Sequence, residues 1–358
     1  MNILQKKLDY AHILIVGSGV IGKFIASELI KNGFKVTIAD PNEENNGSNA
    51  SLGILMGRIY KKRSGRAWLL RKRSLVLWPR WIEFLKKLNP EIKIDKPLIQ
   101  LTTNQIHYEI IKKFVENNPF EGLEILQKES TLLRRIKEFF PETNLQGIVS
   151  HEDGRIDPKI LLKTLDIYLK NMQTKFIKNE IIDIEKNNNK WTAICGDGEK
   201  IDANIIVICN SLNSKKLINK MKIKTQLKPV LGQAIELTFN KNLDFSLLPK
   251  IFSINGKNFI PISNSKIIIG STSEEDHIPE KKYINELTEC LKPKPLWMED
   301  TYITKKWHGI RSQPIGEGAP IMKGLEKGLI LCTGFYKNGI LLAPACSEWL
   351  IKEIISHF

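Results

Sequence analysis

Residues 13–16 (Ile-Leu-Ile-Val) form an unbroken apolar run closed by Gly17, the pattern of a strand covered on both faces of a parallel sheet. From Gly22 the period becomes helical: Phe24, Ile25, Leu29 and Ile30 share one face, and Asn32-Gly33 supplies a stop. Val36 to Ala39 then restarts a strand that ends on Asp40. Strand, glycine turn, helix and strand in roughly thirty residues predict a βαβ unit.

Pro41 to Asn49 is too polar to be an element. Helices are predicted over 65–87 and 105–117, and Asp157-Pro158 reads as a helix start, with an aspartate N-cap and proline in the first turn. Strands are expected at Lys175–Ile177, Ile181–Ile184, Trp191–Cys195 and Ile205–Cys209, with turns at Asn187-Asn188-Asn189 and Gly196-Asp197-Gly198. Further strand-like runs are Ile235–Phe239, Lys266–Ile269 and Leu329–Cys332, and a final helix starts near Gly339. No repeat is evident. The order predicts a discontinuous nucleotide-binding domain (1–85, 150–228 and 305–358) and an inserted, sheet-rich α+β domain (86–149 and 229–304).

With 358 residues, 42% of them hydrophobic, two domains are the expectation. Five cysteines without metal-type spacing read as reduced packing residues, so no metal is expected. The first eleven residues are polar and lysine-bearing and no apolar run reaches membrane-spanning length, which predicts a cytoplasmic protein. The formal charge of +15 attracts nucleic acid, anionic surfaces or acidic substrates. Its densest stretch is Lys61, Lys62, Arg63, Arg66, Arg71, Lys72 and Arg73, interleaved with Trp68, Leu69, Leu70, Leu75 and Trp78. That is either a basic amphipathic helix that touches a polyanion or, the favoured reading in so lysine-rich a chain, an ordinary solvated face.

Gly17-Ser18-Gly19-Val20-Ile21-Gly22 is a GxGxxG turn. Its glycines permit in turn the tight bend, close approach of backbone to a pyrophosphate, and close helix-to-strand packing. The phosphate charge would rest on amides at the helix amino terminus. Asp40, eighteen residues past the last glycine, is placed to accept ribose hydroxyls, which disfavours a 2′-phosphate and leaves NAD and FAD both open.

Downstream, Gly47-Ser48-Asn49-Ala50-Ser51-Leu52-Gly53-Ile54-Leu55 resembles the small-residue segment that follows the βαβ unit in the D-amino-acid oxidase superfamily, particularly glycine oxidase and sarcosine oxidase-like enzymes. Further resemblances follow in the family's order. They are Gly154-Arg155-Ile156-Asp157-Pro158, Ile181, Pro229-Val230-Leu231-Gly232-Gln233, Pro261 with Ile267 to Thr272, Trp307-His308-Gly309-Ile310-Arg311, and Gly334 to Pro344.

The resemblance implies an α/β, Rossmann-like domain of the glutathione-reductase type that binds FAD noncovalently, with the α+β insertion as substrate domain. It implies FAD contacts at Gly17, Gly19, Val20, Ile21, Gly22, Asp40, Gly47, Ser48, Asn49, Ser51, Leu52, Gly53 and Ile54. Others are Ile181, whose backbone would meet the adenine, Asn210, and the closing motif at Gly334, Phe335, Tyr336, Asn338, Gly339, Ile340 and Leu341. Arg311, with Lys337, would bind a substrate carboxylate, a task suited to a guanidinium fork. His308 is an acid or base candidate, or simply a satisfied structural histidine.

The implied activity is oxidation of a small amino acid or secondary amine, by hydride transfer to the flavin N5, to an imine that hydrolyses. Departures from the glycine oxidase pattern at Asn210-Ser211-Leu212-Asn213, Asn258, Ser312, Phe335 and Lys337 weigh against glycine itself as substrate. Two alternatives stay open: a flavin-dependent enzyme that trims tRNA wobble-uridine side chains, and a non-catalytic flavoprotein.

Overall fold

The computed structural model describes residues 11–43, 46–119, 121–141, 143–188, 190–221, 223, 225–239, 244–275 and 278–356. Most of the polar leader, part of the 41–49 segment and Asn189 of the asparagine turn lie outside the described residues. In chain order the first half comprises β1 (His12–Val16), α1 (Val20–Lys31), β2 (Lys35–Ala39), β3 (Ile54–Leu55), α2 (Gly65–Lys86), β4 (Ile94–Asp95), β5 (Leu98–Thr102) and α3 (Gln105–Glu116). It continues with β6 (Leu123–Ile125), α4 (Thr131–Phe139), β7 (Gln146–Ser150), β8 (Gly154–Ile156), α5 (Pro158–Asn171) and β9 (Lys175–Ile177).

The second half holds β10 (Ile181–Asn187), β11 (Lys190–Cys195), β12 (Lys200–Ala203), β13 (Ile205–Ile208), α6 (Ser214–Lys220), β14 (Gln226–Phe239) and β15 (Phe252–Ile254). After these come β16 (Lys257–Ser263), β17 (Lys266–Gly270), α7 (Lys281–Thr288), β18 (Thr301–Ile315), β19 (Ile321–Glu326), β20 (Leu329–Thr333) and α8 (Gly339–Ser356).

One sheet has the order β19-β20-β13-β1-β2-β9. All its pairings are parallel except β19 with β20, and β1, β13 and β20 are almost wholly buried, as expected of strands covered on both faces. Parallel alignment brings the carboxyl ends of β1, β2, β13 and β20 to one edge, so Gly17, Asp40, Asn210 and Gly334 gather there from distant parts of the chain. That edge is where open α/β sheets bind ligands.

The helices over this sheet interlock. Phe24 of α1 lies fully buried against Trp78 and Trp81 of α2, with ring centroids 5.5 and 4.5 Å away. Each such aromatic pair contributes about 0.5–1.5 kcal/mol beyond its buried area. Pro344 has no N–H to give the Ile340 carbonyl, and beside this break α2 adds two bonds to α8: the Trp78 indole donates to the Leu341 carbonyl at 3.0 Å, and the Ala345 amide donates to Ser74 Oγ at 3.3 Å. The start of α8 is thereby tied to the protein's interior.

The second sheet has the order β18-β14-β17-β16-β15-β5-β7-β6. One side is an aromatic core in which Phe252 and Phe259 stack 5.2 Å apart and Phe140 meets both edge-on. β18 pairs with β14 from Thr301 to Ile315, so the boundary expected near 305 falls inside one strand of this sheet. The 15-residue strand reads poorly as a single element because six of its residues, Tyr302 to Lys306 and Ile315, are exposed. Among the described residues, no helix is long and apolar enough to cross a membrane.

Candidate active site

The glycine turn shows why these positions reject side chains. Gly17 has φ +114°, and a Cβ there would lie 2.8 Å from the Cys209 carbonyl oxygen. A Cβ on Gly22 would lie 1.9 Å from the Gly17 carbonyl oxygen. No real contact is that short, so the first turn of α1 closes on β1 only with glycine. The Val20 amide donates to Ser48 Oγ at 3.0 Å, which joins the turn to the small-residue segment. Asp40 accepts from the Ser18 and Asn42 amides, both at 2.6 Å, and is oriented at the rim. Asn210 follows β13, and among the described residues its buried Oδ1 has no hydrogen-bond partner. With its amide 2.9 Å from where a Gly17 Cβ would be, this orphan acceptor flanks a cradle of bare backbone, which fits a polar nucleotide ligand.

Residues 46–53 run from this cradle to the second sheet. A Cβ on Gly309 would lie 2.4 Å from the Ala50 methyl, one on Gly47 would lie 2.9 Å from the Ile310 carbonyl oxygen, and the Trp307 indole donates to the Ala50 carbonyl at 3.1 Å. Gly53, at φ +78°, crosses Ile156 so closely that a Cβ would meet the Ile156 carbonyl oxygen at 1.8 Å. Arg155 Nε holds the Leu52 carbonyl at 3.0 Å. Asp157 caps α5 through the Lys159 and Ile160 amides. Small residues here thus let the chain thread between two sheets.

The closing motif reaches both the glycine turn and the neighbourhood of Arg311. Val20 and Gly339, the first residues of α1 and α8, are neighbours: a Gly339 Cβ would lie 3.8 Å from Val20 Cγ1. At the other end the Tyr336 amide donates to the Ser312 carbonyl at 3.0 Å, beside Arg311. Tyr336 has φ +52° and Gly334 +68°, which turn the chain from β20 into α8. Phe335, Ile340 and Leu341 are buried, and the Asn338 carbonyl accepts from the Leu342 amide. Ile181 is a buried packing residue at the start of β10.

Arg311 lies over β14. Its Nη1 donates to the carbonyls of Leu231 (3.3 Å) and Thr272 (3.2 Å), and its Nη2 to Ser271 Oγ (2.7 Å). Among the described residues, three of the five guanidinium N–H donors are committed and two remain. Among the described residues no carboxylate forms an ion pair with Arg311, and burial pulls its pKa down, opposed by Tyr336 and Glu274. The group stays cationic.

Strand alternation places His308 on the opposite face of β18, away from the Arg311 side chain. Lys337 is exposed with its ammonium 5.2 Å from the Tyr336 ring centroid. The basic stretch is only partly a solvated face. Arg71 is 2% exposed and stacks on Tyr60, Arg58 and Arg63 both pair with Glu121, and Arg73 pairs with Glu348. Among the described residues one group has metal-ligand proximity: Cys195, Asp197 and Glu199 on the turn between β11 and β12. Burial raises the Cys195 thiol's pKa, which keeps it protonated at neutral pH.

A model of the DAO family, described as FAD dependent oxidoreductase, matches residues 12–353. The chain belongs to the DAO family of FAD-dependent oxidoreductases. A glycine oxidase of Geobacillus kaustophilus is 25% identical over 365 residues, covering 96% of this chain and 93% of the relative. A D-amino acid dehydrogenase of Helicobacter pylori is 23% identical, covering 94% and 93%. Among solved structures, glycine oxidase from Bacillus cereus superposes with a TM-score of 0.83 at 22% identity over 97% of this chain and 96% of that one. Iminodiacetate oxidase from Chelativorans sp. BNC1 gives 0.82 at 18% identity, over 96% and 95%. The expected α/β FAD-binding fold with a sheet-rich second part is therefore that of this DAO-family enzyme, and its cofactor is FAD.

The sequence alone does not single out Gly232, Ser271 and Thr272 as the seat of Arg311. The one available signal is a glycine inside a strand, which marks close approach of another group.

Proposed function

We propose that this DAO-family enzyme oxidises a small amino acid or secondary amine that carries a carboxylate. The observation that carries this reading is the Arg311 guanidinium, held by two carbonyls and a hydroxyl with two N–H donors uncommitted. A substrate carboxylate is the planar anion such a fork suits. Relatives that act on glycine and D-amino acids, by their names, support a small carboxylate-bearing amine as the substrate class.

The chain's own groups then have definable tasks. The amides of the Gly17–Gly22 turn would take the diphosphate, Asp40 a ribose, and Asn210 a polar group of the nucleotide. Residues Gly47–Ile54 would lie along the cofactor and Gly334–Leu341 would close around it, all noncovalently. FAD, when bound, would supply the acceptor for the hydride that leaves the amine's α-carbon. Arg311 fixes one end of the substrate, and that orientation converts a bimolecular encounter into an aligned one. The positive charge of Arg311 stays in place throughout, so it binds and orients without moving a proton. The imine product leaves to be hydrolysed by water.

The test is titration of the FAD-loaded protein with carboxylate-bearing amines and with the matching amine amides. Flavin bleaching by acids and not by amides supports the reading; equal bleaching by both contradicts it.

A further inference from the structure

Behind Arg311 lies a buried polar group that no part of the proposed chemistry uses. Glu274 is 1% exposed, Thr272 1% and Gln233 6%. Thr272 Oγ1 accepts from the Gln233 amide at 2.7 Å and donates to the Glu274 carboxylate. Gln233 Nε2 lies 3.1 and 3.2 Å from the two Glu274 oxygens and donates to the Glu280 carbonyl at 2.9 Å. The backbones are locked as well: Leu231 and Glu274 exchange both N–H···O bonds at 3.0 and 2.9 Å, and the Thr272 amide donates to the Gln233 carbonyl.

These bonds join the two segments that supply the acceptors for Arg311, the Leu231 carbonyl on one and Ser271 Oγ with the Thr272 carbonyl on the other. If their spacing relaxed, the three acceptors could not meet one rigid guanidinium together. Among the described residues no lysine or arginine forms an ion pair with Glu274, and its carboxylate favours the charged form of Arg311. A carboxylate this buried is destabilising unless it is compensated. Here two hydrogen-bond donors and a cation beyond hydrogen-bond reach supply the compensation. A direct ion pair would use up the fork that the proposed substrate needs.

We propose that Glu274, through Thr272 and Gln233, is a positioning residue for Arg311, serving as a remote counter-ion that holds the guanidinium in place while leaving its outer N–H pair open to a carboxylate. The inference rests on the carboxylate-anchoring reading of Arg311 given above. Glu274→Gln places a second amide NH2 against that of Gln233 and removes the counter-charge. Thr272→Val removes the bridging hydroxyl without changing any charge. Buried networks of this kind fail as a unit when one member is left unsatisfied.

The experiment is spectral titration of the FAD-loaded wild type, E274Q and T272V with glycolate and with its neutral amide, glycolamide, alongside thermal melts. The expected result is that wild type prefers glycolate, and that both variants lose at least ten-fold in glycolate affinity, keep their glycolamide affinity and retain FAD. Glycolate affinity within two-fold of wild type in both variants overturns the proposal, as does equal loss for both probes. If E274Q does not fold, T272V decides alone by the same criteria. A wild type that does not distinguish the two probes instead overturns the reading of Arg311 itself.

Discussion

Arg311 lies flat against Gly232: a Cβ on that glycine would stand 2.1 Å from Nη2 and 2.5 Å from Cζ of the guanidinium. No rotamer adjustment of alanine relieves an overlap at Cβ, so Gly232→Ala must displace Arg311 or the strand. The expected outcome is loss of carboxylate binding by 100-fold or more with FAD retained, measured by spectral titration. Arg311→Lys keeps the charge and forfeits the planar fork, and is expected to cost about 1.5–3 kcal/mol in the affinity for the same probe, the scale of a charged hydrogen bond.

Gly22→Ala is expected to abolish FAD uptake. Its Cβ would overlap the Gly17 carbonyl oxygen at 1.9 Å, which forces the first turn of α1 off β1 and disperses the amides of the cradle. Flavin content after purification, read as absorbance against protein, checks this.

Trp78→Phe preserves most of the aromatic packing and removes the only donor that the indole gives the Leu341 carbonyl. Losing one buried hydrogen bond of this kind costs about 0.5–1.5 kcal/mol. Because Leu341 lies in the first turn of α8, the variant is expected to lose FAD at lower temperature than wild type, as monitored by flavin fluorescence on heating.

Glu236 supplies a pH prediction. Burial pushes its carboxyl pKa up, but the Thr304 hydroxyl, Lys305 and Lys266 outweigh that and leave it below the usual glutamate value. A depressed carboxylate contributes stability that is present above its unfolded pKa and lost as pH falls through its folded one. Glu236→Gln is therefore expected to be less stable than wild type at pH 7 by about 0.5–1 kcal/mol, since both lysines face solvent. The gap should close in acid below the folded pKa. Denaturant melts at pH 7 and at pH 3 to 4 check both halves; a gap that widens in acid contradicts the assignment.

Much of this was legible in the chain before any geometry. The run at 13–16, the glycines at 17, 19 and 22 and the acid at 40 are short-range signals, because adjacent strands and a tight turn impose their patterns locally. Arg311 stood out by its motif. What stayed hidden depends on contacts between distant residues: Gly232 beneath Arg311, Glu274 behind Thr272, and Trp78 completing a helix more than 250 residues away. The boundary expected near 305 falls inside β18, whose exposed stretch lacks the apolar alternation that marks a strand of the second sheet. His308 is a candidate from the Trp307–Arg311 motif, yet strand alternation sends it to the other face from Arg311.

The most direct test of the central claim is anaerobic reduction of the FAD-loaded protein by a panel of amino acids and N-alkyl amino acids, repeated with Arg311→Ala. The account predicts that at least one carboxylate-bearing amine bleaches the wild-type flavin, and that the same compound reduces R311A at least 100-fold less efficiently although FAD remains bound. Bleaching of both proteins at the same rate, or of neither by any member of the panel, would contradict it.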